Sequence, residues 1–110
     1  MNPTNTTDLL QQLQKWYQIH CDGNWEHGHG IQLSTLDNPG WDLAIDLGET
    51  ELEERPFIPV LQHLDSDTWM RCEVKDKCFT GCGGVTMLAN IVECFLIWES
   101  GVDKKSSSQE

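Results

Sequence analysis

The sequence predicts an α+β domain: an antiparallel meander of four to five strands with an N-terminal and a C-terminal helix packed on one face. Three observations carry this. Apolar residues recur at helical spacing over 9–20 and again over 85–98. Between them, Trp41, Leu43, Ile45 and Leu47 alternate with Asp42, Ala44 and Asp46, the period of a sheet with one buried and one wet face. Short polar turns, Asp37-Asn-Pro-Gly40, Asp65-Ser-Asp67 and Lys75-Asp-Lys77, punctuate that middle region as antiparallel hairpins require.

Taken in chain order, residues 1–7 are polar and expected to be loose. Asp8, with Gln11 three residues later, offers a cap for a first helix running to about residue 20. Leu9, Leu10, Leu13, Trp16, Tyr17 and His20 form its apolar stripe, and glutamines fill the other side. Residues 21–30 hold three glycines and read as a loop with an exposed tip. Strands are expected at 31–36, 41–47, 58–64, 68–74 and 78–80, with 48–55 as a charged connection. Gly81, Gly83 and Gly84 are expected to break the sheet before a closing helix, which Gly101 can end. Residues 8–101 then make one domain, and 102–110 a disordered tail.

At 110 residues the chain suffices for one modest core. Its net charge of −11, with only seven Lys and Arg, argues against binding nucleic acid or an anionic membrane. A basic protein is the natural partner, because complementary potentials speed encounter. The N-terminus lacks the basic and apolar regions of a signal peptide, and no run of about 18 apolar residues occurs, so a cytoplasmic location is expected. Five cysteines at irregular spacing suit free thiols. Nothing fixes the oligomeric state.

Catalytic chemistry finds little support. His27 and His29 near Cys21 lack the second anchored pair that structural zinc needs, and Cys78-x3-Cys82 is equally weak. The stretch from Cys78 to Gly84 lacks an Arg to clamp an oxyanion, so it reads as a strand leading into a glycine turn. No phosphate loop, dinucleotide fingerprint or nucleophile elbow is present. Neither cofactor, metal nor catalytic residue is expected. The rival reading is a small thiol- or metal-dependent enzyme built on Cys21, His27 and Cys78.

The charge is unevenly placed. From Trp16 to Glu54 there is no Lys or Arg, yet nine of the eighteen acids fall there. Asp42 and Asp46 sit on the polar face of the best strand, so part of this field is displayed on rigid structure. Trp25 and Trp41 are the candidate partner-facing anchors; the competing reading puts Trp41 on the core face by alternation and makes Trp25, on the polar loop, a plug for a small core.

Several strings along the chain resemble a known family. Leu13-Gln-Lys-Trp-Tyr17, Cys21-Asp-Gly-Asn-Trp-Glu-His27, Thr35-Leu-Asp-Asn-Pro-Gly-Trp41, Ile45-Asp-Leu47 and the Gly83-Gly84 helix start occur together, and the chain over 9–99 resembles the immunity protein 53 family. The resemblance implies an intracellular protein that binds and neutralises a cognate toxin of a bacterial polymorphic toxin system, with no catalytic residues of its own. The expected mechanism is occlusion of a basic, nuclease-like active site by the acidic face. The candidate toxin-binding residues are Asp22, Trp25, Glu26, His27, Asp37, Asp42, Asp46, Glu49 and Glu51.

Overall fold

Alternation in the central strand decides which face of the sheet is wet. In the computed structural model, which describes residues 6–101, Leu43 and Ile45 are buried, while Asp42, Ala44 and Asp46 point the other way and keep part of their surface. The elements are α1 (Thr6–His20), α2 (Trp25–Gly28), β1 (Ile31–Leu36), β2 (Gly40–Asp46), β3 (Val60–His63), β4 (Trp69–Lys75), β5 (Cys78–Gly83) and α3 (Leu88–Ser100). The five strands pair antiparallel in the order β1-β2-β5-β4-β3. Two hairpin-linked runs, β1–β2 and β3–β4–β5, are thus joined by the connection 47–59. That connection is pinned rather than loose: Leu47 and Leu52 are fully buried, and the Leu47 N–H donates to the Lys77 carbonyl at 2.9 Å.

The predicted α+β class holds, with five antiparallel strands and the terminal helices, but the strands do not run as a meander, because β5 inserts between β2 and β4. One core forms from Leu43, Ile45, Met70, Cys72 and Phe79 of the sheet with Leu9 and Trp16 of α1 and Ile91, Val92, Phe95, Leu96 and Trp98 of α3. Aromatic edges bind these layers, with Phe95 5.2 Å from both Trp16 and Phe79 in tilted or edge geometry. The C-terminus of α3 is satisfied twice. Gly101 takes φ 74° to stop the helix, and Arg55 donates to the Trp98 and Glu99 carbonyls at 2.9 and 3.0 Å.

Four local expectations are corrected. Helix α1 begins at Thr6, so Asp8 lies within its first turn rather than capping it, where its charge still complements the helix dipole. Leu10 is 53% exposed, so the buried stripe of α1 is narrower than its sequence pattern. Residues 25–28 form the short helix α2 instead of an exposed loop tip, because the Asp22 carboxylate accepts the Asn24 and Trp25 N–H groups and the Glu26 carboxylate reaches back to Gly23. Gly81 and Gly83 do not break the sheet but extend β5, where the missing side chains let α3 approach. Most of the expected loose N-terminus (residues 1–5) and the expected disordered tail (102–110) lie outside the described residues.

Candidate functional site

The sheet has one face under the helices and one that no described element covers. On the open face the cross-strand register sets Ser34, Asp42, Cys82, Arg71 and Leu61 in one row. Gln32, Ala44, Thr80 and Glu73 make the next, followed by Asp46, Cys78 and Lys75. Asp42 and Arg71 lie on either side of Cys82 and form no ion pair; the Arg71 guanidinium instead approaches the Cys82 sulfur at 3.9 Å. The charge on this face is uneven: β2 carries Asp42 and Asp46, β1 is uncharged, and β4 carries Arg71 and Lys75 with Glu73 between them.

The acids of the connection extend this field at the Asp46 end of β2. Glu49 is exposed, in the left-handed region at φ 63°, and its N–H donates to the Glu53 carboxylate at 2.8 Å. Among the described residues, no hydrogen bond or ion pair engages the carboxylates of Asp37, Asp42, Glu49 or Glu54. Two acids there have close partners, Glu51 the His20 ring and Glu53 the Lys77 ammonium, each at 2.8 Å. The Lys77 ammonium and the Glu49 N–H hold the Glu53 carboxyl below the usual range.

The structure separates the sequence candidates into groups. Asp42 and Asp46 share the open face, and Glu49 follows them closely in the chain. Asp46 is partly occupied, since its carboxylate accepts the Gly30 N–H at 3.0 Å. Exposed His27 lines a shallow groove of about 290 Å³ with His29, Gly30, Gln32 and Asp46. Asp37 lies in the β1–β2 turn, at the opposite end of β2 from Asp46. Asp22 and Glu26 shape the α2 turn, whose backbone N–H groups at Trp25 and Asn24 pull the Asp22 carboxyl below its ordinary value.

Trp25 is not the exposed anchor that the sequence allowed. It is 4% exposed, its indole N–H donates to the Gly48 carbonyl at 2.9 Å, and its ring stacks on His29 with centroids 5.4 Å apart. Trp41 is half-buried against the core, and its indole N–H donates to the Val85 carbonyl.

Glu51 serves the fold directly. Its carboxylate accepts the Trp16 indole N–H at 3.2 Å and meets His20, whose other ring nitrogen lies 2.8 Å from the Trp16 carbonyl. Both partners of His20 are acceptors, so both contacts form together only when both ring nitrogens carry protons. Burial acts to raise the Glu51 pKa, but the hydrogen bonds from His20, the backbone and Trp16 outweigh it and leave the group below its usual value. A depressed carboxyl stabilises the fold above its unfolded pKa, about 4.3, and that contribution disappears as pH falls through the lower folded value. Glu51→Gln should accordingly flatten the acid limb: between about pH 5 and 3, the melting temperature of the variant falls less than that of the native chain.

The thiols sit in different parts of the fold. Cys21 points its S–H at the Tyr17 carbonyl at the end of α1, while Cys78 sits on the open face, where burial and the Asp46 charge push its pKa up, away from a nucleophile's needs. Buried Cys72 is pushed up further by its hydrogen bond with Cys94 and by burial. Among the described residues, no group of three His, Cys, Asp or Glu side chains is placed to hold a metal ion. No described helix is long and apolar enough to cross a membrane.

The family model of immunity protein 53 matches the chain over residues 10–100. The chain belongs to the immunity protein 53 family. Neither the curated proteins nor the solved structures give a significant match. Family membership makes this chain an immunity protein against a toxin. Within the matched span lie both the open acidic face and the connection that extends it. Two features of this immunity protein escaped sequence reasoning. By sequence Glu54 is one acid among several in a charged connection, and the uncharged run Gln32–Thr35 beside Asp42 reads only as strand. Its lack of charge in a chain with 23% charged residues was the available signal.

Proposed function

We propose that this protein is a cytoplasmic, non-catalytic inhibitor that binds a basic toxin domain and occludes its active-site groove with the acidic half of the open sheet face. The observation that carries this reading is the set of unpartnered carboxylates at Asp42 and Glu49, placed on or beside a rigid strand in a member of an immunity family. Free charge held on a strand costs little reorganisation when it meets a cationic groove. Asp46 and His27 border the same face, Asp37 its far end, and Glu54 continues the connection. Asp22, Glu26 and Glu51 act by shaping the scaffold, and Trp25 by filling the core. A nuclease is the favoured toxin class, since its groove must attract phosphates and carboxylates can stand in for them.

The test uses the cognate toxin domain, sought in the gene adjacent to the one that encodes this chain. Co-expression should abolish its toxicity, and titration of the purified domain should reach full inhibition at a fixed stoichiometric ratio with no chemical change to the toxin. Undiminished toxicity in the presence of folded protein, or turnover of the toxin by substoichiometric protein, contradicts the proposal.

A further inference from the structure

The two edges of the sheet are guarded differently. Strand β3 has four residues, follows Pro56 and Pro59, and borders β4, which carries Arg71 and Lys75. Strand β1 has six, Ile-Gln-Leu-Ser-Thr-Leu, with no proline and no charge, and Gln32 to Thr35 are all exposed. Long, uncharged edges are ones that proteins otherwise blunt, because their free N–H and C=O groups template another strand.

The register says which groups are free. The Asp46 N–H donates to the Gly30 carbonyl at 3.0 Å, which makes Gly30 and Asp46 a hydrogen-bonded pair. By the alternation of an antiparallel ladder, Gln32, Ser34 and Leu36 then bond to β2, while Ile31, Leu33 and Thr35 turn their N–H and C=O groups outward. The two sides of this edge differ chemically. Toward the open face lie Asp42 and Asp46. Toward the helices lie Leu33, 51% exposed, and an apolar groove of about 540 Å³ between α1 and Ile31, lined by Leu10, Leu13 and Tyr17.

We infer that the toxin docks by adding an extended segment to the free edge of β1 as a sixth strand, with basic side chains over Asp42 and Asp46 and apolar side chains toward Leu33 and α1. This rests on the toxin-inhibition reading and specifies how that partner is held. Main-chain bonds supply affinity and the two faces supply sequence preference. Charge selects this occupant over a second copy. Antiparallel pairing of β1 with itself would bring the Asp37 end of one copy against the Asp46 end of the other, joining two chains of net charge −11.

The experiment is hydrogen exchange of the full chain, free and bound to the adjacent-gene toxin domain carrying an inactivating substitution. The amides of Ile31, Leu33 and Thr35 should slow about tenfold or more in the complex, while β3 amides keep their rates. Thr35→Pro, which removes an outward donor at an edge position that tolerates proline, should weaken binding by about 10–100-fold. If the native chain binds but its β1 amides exchange as before, or folded Thr35→Pro binds as tightly, the edge inference falls and the immunity reading stands. If the native chain does not bind, both fall. A concentration-dependent dimer by light scattering, abolished by Thr35→Pro, would assign the edge to a second copy and overturn the inference. Should Thr35→Pro fail to fold, the exchange data on the native chain decide alone.

Discussion

Trp25→Ala is expected to lower the melting temperature by roughly 15–30 °C, the consequence of about 3–5 kcal/mol lost in a domain of this size. The indole joins three parts of the chain that sequence separates. It meets Trp16 of α1 edge-on at 6.0 Å, stacks on His29 after α2, and donates to Gly48 in the connection beyond β2. Truncation would leave a cavity among these elements and strip the half-buried Gly48 carbonyl of its indole donor, so transfer and cavity costs add to that of a lost hydrogen bond. Thermal melts followed by circular dichroism measure the loss. Toxin affinity measured well below the variant's melting temperature should change far less than its stability, because the ring presents almost no surface to a partner.

Gly81→Val is the second large effect, on the order of 3 kcal/mol, and it acts by overpacking. A Cβ at Gly81 would lie 2.5 Å from Ile91 Cγ2 and 3.3 Å from both Cys72 Sγ and the Phe79 ring. Ile91 is fully buried, and its Cγ2 sits one bond from the rigid Cβ of a helical residue, so it cannot swing aside. Helix α3 must shift away from β5. Chemical denaturation should show a lower midpoint, and near-ultraviolet circular dichroism should report disturbed packing of Trp98 and Trp16.

These two residues mark what sequence alone conveys and what it leaves out. The alternation in β2 predicted its two faces because the pleat imposes a period of two whatever lies beside it, and Gly101 announced the end of α3 because a left-handed stop favours glycine. Gly81 and Gly83 misled, since a glycine that breaks a strand and one that admits a helix look alike until the partner helix is placed. Trp25 was ambiguous for a related reason: a tryptophan in a polar segment is exposed or buried according to contacts from Trp16 and Gly48, distant in sequence. The insertion of β5 between β2 and β4 is likewise set by long-range packing.

The acidic field was legible as a stretch without Lys or Arg, and the sheet register places its two strand carboxylates on the open face. The division of labour within it was not. Asp22, Asp46 and Glu51 accept hydrogen bonds from the scaffold, while Asp42, Glu49 and Glu54 are unengaged among the described residues. Composition cannot distinguish these cases, because the distinction depends on which N–H group the fold brings within reach.

That division also identifies the substitutions that separate charge from folding. Stopped-flow association of this protein with its adjacent-gene toxin domain, measured over rising salt, tests occlusion by the acidic face most directly. The association rate of the native chain should fall steeply with ionic strength. The triple variant Asp42→Asn, Glu49→Gln and Glu54→Gln should associate about tenfold more slowly at low salt, with a flatter salt dependence and an almost unchanged melting temperature. Native association that ignores salt, or a triple variant that binds at the native rate, would contradict occlusion by the acidic face.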